Sequence, residues 1–288
     1  MRQHVSKVMQ FTWMITIVLV GGLSPKTAAA HHAVSEFGIS WAEPVNVLEA
    51  SLELAGFDRE GERGQYLVSY SLFEYALTDD FSVSARTSLV NVFLEDEAAR
   101  IGLGDSEVGA KYEVYETKHG ELLVSVGLNL ELPTGDASQA LSSGHFELSP
   151  FITLSTATPD ELIFYAVLAD RISLEGSGDG GHEHHHDHAH HHADVPERHG
   201  SIIAPHGDHE AFVRLGMAQV FGLLYLSVGY DGVFVFDDNE ETLGPQVARL
   251  EMGYQVFEGG RLAVGFDTPF AGPHRFDWRT RSGFSWQF

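Results

Sequence analysis

Residues 121–133 read E-L-L-V-S-V-G-L-N-L-E-L-P, and every even-numbered position in them is Leu or Val. The odd-numbered positions after Leu123 are Ser, Gly, Asn, Glu and Pro. Successive side chains of a β-strand point to opposite faces, so the pattern predicts a strand with one apolar and one polar face. The segment also has the length of a tilted strand that crosses a bilayer, about ten residues.

The same alternation occurs in residues 106–115 and 246–257. A soluble β-sandwich or lipocalin-like barrel also alternates, but its apolar face points inward and its outer faces are usually richer in Lys and Arg. We therefore expect the apolar face to contact lipid and the polar face to line a lumen. The predicted lumen residues are Glu107, Lys111, Glu113, Asn129, Glu131, Arg249 and Glu251.

The whole chain divides into about twelve such segments. An even number of antiparallel strands closes a barrel without an edge and leaves both ends of the barrel domain on the periplasmic side. Tight connections such as 77–80 alternate with longer ones such as 94–104, which is typical of periplasmic turns and external loops. The candidate strands are 45–56, 65–77, 81–93, 105–116, 121–133, 145–156, 162–173, 209–220, 222–235, 246–257, 261–270 and 278–288.

The two ends of the chain indicate export and assembly. Arg2 and Lys7 precede the apolar residues 8–23, and small residues follow up to Ala30, as in a cleaved secretory signal. The predicted domains are a signal peptide, 1–30, an N-terminal periplasmic or lumenal segment, 31–44, and an outer-membrane β-barrel, 45–288. At the other end, the pattern of Gly283, Trp286 and Phe288 resembles the signal that the outer-membrane assembly machinery recognises.

Composition excludes several classes of protein. The chain has 41 acidic and 17 basic residues and a formal net charge of −24, so nucleic acid is excluded as a partner. It contains no cysteine, which excludes disulfides, thiolate metal ligands and the lipid-modified cysteine of a lipoprotein. The expected partners are outer-membrane lipid, the assembly machinery, and divalent metal ions or small solutes, and the expected location is the outer membrane of a Gram-negative bacterium.

Three stretches of the sequence carry a family resemblance. Residues 101–112, I-G-L-G-D-S-E-V-G-A-K-Y, and 128–136, L-N-L-E-L-P-T-G-D, together with 75–80, Y-A-L-T-D-D, resemble a family of proposed outer-membrane transporters first associated with meta-cleavage phenol-degradation operons. That family usually has Gly at the position of Ala76. The resemblance implies a small transport or channel barrel. The motifs also have a structural interpretation, in which 133–136 turn the chain and Gly102 and Gly104 adopt positive φ.

A histidine-rich tract lies between the seventh and eighth candidate strands, in the predicted external loop 174–208. Imidazole and carboxylate groups bind Zn, Ni, Co and Cu, and the Gly-rich lead-in predicts a tether without one fixed ligand geometry. The alternative is a solvated insertion whose metal affinity is incidental. No cofactor is required, and the candidate ligands are His182, His184, His185, His186, His188, His190, His191, His192, His199, His206, His209, Glu183 and Asp187. His31 and His32, at the start of the mature chain, are weaker candidates.

No enzyme is predicted. The serines near His145, including Ser142, Ser143 and Ser149, lack the His-x-Ser-Asn arrangement of outer-membrane phospholipases, and no G-x-S-x-G motif occurs.

The sequence therefore predicts an all-β protein, a single transmembrane antiparallel barrel with an acidic, polar lumen that acts as a channel or transporter. The leading hypothesis is the handling of divalent transition-metal ions captured by the histidine-rich loop. A pore for small organic compounds such as aromatics, with an incidental loop, is the alternative. A non-transporting metal-binding surface protein is the third hypothesis.

Overall fold

The computed structural model of the chain describes residues 42–59, 62–95, 97–117, 122–139, 141–158, 160–174, 209–237, 240–273 and 275–288. The predicted signal peptide, both N-terminal histidines and the tract 182–192 lie outside these residues.

Antiparallel strands account for most of the described residues, and a short 3-10 helix, Ala137–Gln139, lies between two of them. No helix in the described part of the chain is long and apolar enough to cross a bilayer. The strands are β1 Val47–Arg59, β2 Glu62–Ala76, β3 Phe81–Leu94, β4 Arg100–Leu103, β5 Ser106–Glu116, β6 Leu122–Leu132, β7 Phe146–Ala157, β8 Leu162–Leu174, β9 His209–Phe221, β10 Leu224–Asp237, β11 Glu240–Phe257, β12 Gly260–Ala271 and β13 Trp278–Gln287.

The strands form one closed barrel. Each strand pairs with its neighbour in the chain, and β1 pairs with β13 to close the ring. Strands β4 and β5 both pair with β3, and their registers differ by one residue across Gly104 and Asp105. They are therefore two parts of one barrel strand interrupted by a bulge. The prediction of a twelve-stranded antiparallel barrel is confirmed.

Several predicted boundaries were wrong. The fourth strand begins at Arg100, inside the expected loop 94–104, and the tenth strand differs most. The tenth strand was expected to begin at 246, but β11 begins at Glu240 and β10 extends to Asp237. The two strands continue to pair beyond Gly232, after a register shift, so residues expected in a loop form a long hairpin. Apolar and polar residues do not alternate clearly over 240–245, so the sequence pattern predicts no strand there. Pairing with β10 nevertheless holds these residues in a strand.

The barrel wall is apolar outside and polar inside. Outward side chains such as Leu128, Ile152 and Val264 are exposed in the isolated chain, whereas inward side chains such as Ser125, Glu147 and Asp267 are buried. Exposed apolar side chains on most barrel strands form the surface that lipid covers.

An apolar cluster lies at the external end of the lumen. Leu141, from the loop after β6, and Phe276, from the loop after β12, pack with inward residues of four strands. These partners are Ala55, Phe57, Tyr66, Val68, Val90, Val92 and Val247. The two loops therefore occupy part of the barrel mouth.

Inward glycines make room for aromatic rings. The ring of Tyr165 lies where a side chain on its register partner Gly216 would stand, and Phe151 is placed in the same way against Gly127. The rings can lie along the wall because these glycines have no Cβ. The free space inside the lumen therefore depends on how closely these rings pack against the glycines.

Candidate functional site: the barrel lumen

The residues predicted to line the lumen lie on the inner face in the structure. Lys111, Arg249 and Glu251 have side chains that are almost fully buried, and the Glu107 side chain is 19% exposed. Glu113, Asn129 and Glu131 are of intermediate exposure. The sequence neighbours of these residues point to the opposite face, where Val108, Val114 and Leu250 are exposed.

A chamber of about 310 Å³ lies inside the barrel. Of the predicted lumen residues, only Glu107 and Asn129 line it. The other lining residues are Glu49, Ser51, Leu52, Glu53, Tyr70, Leu72, Arg86, Ser149, Phe151, Thr153, Val167, Ala169, Arg171, Phe212, Arg214, Arg279 and Arg281.

The chamber is not acidic, contrary to the expectation from composition. Its lining includes two more arginines than carboxylates. Other acidic groups, such as Asp231 and Asp267, are buried against arginines, because a buried carboxylate needs a cationic partner. The lining charges are Arg86, Arg171, Arg214, Arg279 and Arg281 against Glu49, Glu53 and Glu107.

Asp267 and Asp231 hold much of the arginine cluster. Asp267 is fully buried and accepts hydrogen bonds from Arg279 Nε at 2.7 Å and from Arg281 Nη2 at 2.9 Å. Asp231 accepts two hydrogen bonds from Arg214, at 2.6 and 2.8 Å, and also contacts Arg249. These charge-assisted bonds fix the guanidinium groups on the wall. The sequence predicts only Arg249 of this cluster as a lumen residue. The other arginines could have been predicted in the same way, because they stand at polar-face positions of their strands.

A second set of charges lies across β3 to β9. Arg86 contacts Glu107 at 3.2 Å, and its guanidinium carbon lies 5.6 Å from the centre of the Tyr70 ring. Arg171 bridges Glu147 and Glu210, at 3.3 and 3.7 Å. Arg86 and Arg171 keep 27% and 35% of their side chains exposed, so both are accessible from the lumen.

The periplasmic mouth is crossed by residues 42–46, which we call the strap. Lys111 Nζ donates to the backbone oxygen of Glu43 at 2.8 Å, and Ser125 Oγ donates to the backbone oxygen of Ala42. Asn46 accepts a hydrogen bond from Ala76 N at 2.9 Å. The strap leads into β1 but binds β5 and β6, so it passes over the opening.

Parts of two of the family-like motifs, 101–112 and 128–136, meet at the external end of the barrel. Asp105 accepts hydrogen bonds from Ser142 Oγ at 2.6 Å, Ser143 N at 2.7 Å and Gly135 N at 3.1 Å, so it holds the loop after β6. Gly102 and Gly104 do not have positive φ, contrary to expectation. A Cβ on Gly102 would stand 2.8 Å from Leu141 Cδ1, so glycine there lets the Leu141 side chain pack closely against β4.

Only His209 of the predicted metal ligands is described. Its Nε2 lies 2.7 Å from Asp170 on β8, and its ring packs on Phe236. The remaining predicted ligands lie outside the described residues. Within the described ranges, no three His, Asp or Glu side chains are grouped so that they could hold a metal ion.

His145 lies near a serine and a carboxylate but does not connect them. Its Nε2 is 3.0 Å from Ser173 Oγ and 3.4 Å from Glu147. Nucleophilic catalysis requires the base to use one ring nitrogen for the serine and the other for the orienting group. Both of these contacts involve Nε2, so these two contacts do not have the arrangement of a catalytic triad.

The predicted assembly signal lies on β13, beside β1. Trp286 is buried, and its ring is 5.1 Å from that of Phe288, which stacks on Phe73 at 6.5 Å. Gly283 pairs with Ser51. The C-terminal residues are therefore part of the closing seam.

Comparison with solved structures identifies barrels of the same fold. The chain is similar to the COG4313 outer membrane channel from Pseudomonas putida F1, with a TM-score of 0.64, 11% identity and coverage of 92% of this chain and 100% of that one. It is also similar to the NanC porin, with a TM-score of 0.54 and 10% identity over 84% of this chain and 100% of that one. The KdgM porin gives a TM-score of 0.51 and 10% identity over 84% and 99%. No family model matches the chain, and no curated protein is significantly similar to it. The protein has the barrel fold of Gram-negative outer-membrane channels.

Proposed function

We propose that the protein is an outer-membrane channel that favours small anionic solutes. The observation that carries this proposal is the excess of arginine over glutamate in the chamber lining. Fixed charges of one sign in a narrow passage with low-dielectric walls concentrate ions of the opposite sign. A solved structure of the KdgM porin, which shares the fold, holds disordered oligogalacturonate, a carboxylate-bearing sugar chain, so a barrel of this type can bind an organic anion.

Metal capture by the tract 182–192 is a separate proposal. It is supported by eight histidines, with Glu183 and Asp187, within eleven consecutive residues. The tract connects the external ends of β8 and β9, so bound Zn, Ni, Co or Cu would stand near the mouth. The arginines of the chamber would oppose passage of these cations, so capture at the surface fits the described lumen better than metal transport.

A pore for small organic compounds is the second candidate. The apolar cluster around Leu141 and Phe276 at the mouth, and Phe151 and Phe212 in the chamber, support it. Aromatic side chains along a passage provide contact surface for apolar solutes.

Single-channel recording in a KCl gradient tests the main proposal. We expect a reversal potential that indicates chloride preference in the full mature barrel. Arg86→Gln should reduce this preference, whereas Arg63→Gln, at an exposed external position, should not change it, because distant exposed charges are screened. Cation preference in the parent protein would contradict the proposal.

The same recordings with added Zn²⁺ test the metal proposal. Selective permeation of Zn²⁺ would restore metal transport as the main function. A change in conductance that disappears when the tract histidines are replaced would support capture at the mouth without passage.

A further inference from the structure

The chamber has one apolar wall. Phe151 on β7, Ala169 on β8 and Phe212 on β9 are register partners in a single row, and Val167 is the next inward residue on β8. All four line the chamber. The row therefore forms a continuous apolar surface across three adjacent strands.

The wall facing this row is charged. In a ring of twelve strands, β8 lies six places from β1, and β7 lies six places from β13. The inward residues of β13 and β1 include Arg279, Arg281, Glu49 and Glu53. Arg171 on β8 and Arg214 on β9 flank the apolar row on its own wall. A solute centred on the row therefore contacts carbon between two arginines on one side and ionic groups on the other.

Arg279 is the arginine on the charged wall that is best placed to bind a solute. Its side chain is 19% exposed, and the guanidinium carbon lies 4.5 Å from the centre of the Phe276 ring, which restricts its orientation. Its ion pairs use Nε, to Asp267 at 2.7 Å, and Nη1, to Glu53 at 3.6 Å. A guanidinium has five N–H donors, so Nη2 can donate to a further carboxylate.

We infer that the chamber binds a small organic acid, with its carboxylate at Arg279 and its apolar ring or branched chain against Phe151, Ala169 and Phe212. The inference rests on the proposed preference for anions and names the class of anion. The chamber volume of about 310 Å³ is at the lower end of the range of small-molecule sites, about 300–1,000 Å³. An inorganic anion would use only the arginines, and a neutral arene only the apolar row.

The probe is benzoate, with benzamide as a neutral analogue of the same shape and acetate as a carboxylate without an apolar body. Binding to the full mature barrel in detergent is measured by calorimetry, and block of the single-channel current is measured in parallel. We expect benzoate to bind about tenfold more tightly than either analogue, because a hydrogen bond to a charged group and burial of a ring each contribute at least that factor.

Two variants test the two walls separately. Arg279→Gln should weaken benzoate and acetate alike. Ala169→Leu fills the apolar wall and should weaken benzoate by about tenfold while leaving acetate unchanged, since the clash affects only the ring. Phe164→Leu is the matched control because Phe164 is exposed on the outer face of β8. Heat-modifiable migration on gels verifies that each variant is folded.

Ala169→Leu keeps the test decisive if Arg279→Gln fails to fold. Equal affinity for benzoate and acetate, or benzoate binding that is unchanged in folded Ala169→Leu, would overturn the site while chloride preference in KCl still supported the channel. If the parent protein showed no chloride preference but bound benzoate as expected, the proposed function would be contradicted and the binding site would still be supported.

Discussion

Lys111 on β5 forms an ion pair with Glu74 on β2, with Nζ 2.8 Å from the carboxylate, and both side chains are almost fully buried. Strand β3 lies between them, and Ser82 Oγ on that strand donates to Glu74 at 2.6 Å. Because Lys111 also binds the Glu43 backbone, one buried charge pair connects the barrel wall to the strap.

We expect Lys111→Met to destabilise the barrel by about 3–5 kcal/mol, because it leaves a buried carboxylate without its cation. The double variant Lys111→Met, Glu74→Leu should lose less than the sum of the single variants. Urea unfolding in lipid vesicles measures both effects. Arg63→Ala, which breaks an exposed pair with Asp58, is the control and should have no measurable effect. Additive losses at Lys111 and Glu74 would mean that the pair is not coupled.

Docking of the strap should depend on pH through Glu43, which precedes the first strand. Burial raises the pKa of Glu43 above 4.5, and Glu116 raises it further, while Lys111 acts in the opposite direction. For a raised carboxyl pKa, the contribution to docking is complete below the ordinary value of 4.5 and is lost as the pH rises through the raised value. We therefore expect single-channel conductance to increase with pH over this interval.

Glu43→Gln isolates this effect from the other titrating groups of the lumen. The variant should remove the part of the pH dependence that comes from the strap. Its conductance should stay at the low value of the docked strap at all pH values. If parent and variant show identical pH profiles, Glu43 does not control the strap.

The outward position of Leu250 predicts a cost for charge in the lipid region. Leu250 is 49% exposed near the middle of the segment 246–257, and Leu250→Arg should destabilise the barrel by about 2–4 kcal/mol. Phe236→Arg, also outward but near the external end of β10, should cost much less because charge is tolerated near the interface. Unfolding in vesicles measures both, and equal costs would indicate that the membrane boundary is misplaced.

Packing of Tyr165 over Gly216 predicts a destabilising Gly216→Ala substitution. The added methyl group would overlap the phenol ring, and overpacking of this kind costs about 1–3 kcal/mol. The double variant Gly216→Ala, Tyr165→Ala should remove the clash. Gly265→Ala is the control, because its added Cβ would meet neighbours only at 3.4 Å. A Gly216→Ala barrel as stable as the Gly265→Ala barrel would contradict this packing.

Replacing the histidines of the tract 182–192 by Asn should abolish most binding to immobilised metal without affecting assembly, because external loops contribute little to barrel packing. Retention by the parent should fall between about pH 7 and about pH 5 as protonation competes for imidazole nitrogen. If the substituted protein binds Zn²⁺ as tightly as the parent, the tract is not the receptor, and His31 and His32 become the candidates. Unchanged cellular metal content after loss of binding would indicate that the tract does not serve transport.

The alternation of residues could be interpreted without a structure. Val108 beside Glu107 and Leu250 beside Glu251 were assigned to opposite faces because the side chains of a strand alternate strictly. Strand number, antiparallel order and closure follow from the same local rule, since each strand pairs with its neighbour in the chain. The bulge at Gly104 and Asp105 and the early start of β11 are not local, because both depend on a partner strand.

The character of the lumen was decided by the tertiary structure. Net charge predicted an acidic interior, but folding buries Asp231 and Asp267 against arginines from β9, β11 and β13, and the arginines from β9 and β13 line the chamber. Closure of the ring also places Phe151 on the wall that faces Arg279, which no sequence spacing reveals. Inward or outward orientation is a property of each residue and its strand, whereas the charge and shape of a cavity depend on which residues the closed ring brings face to face.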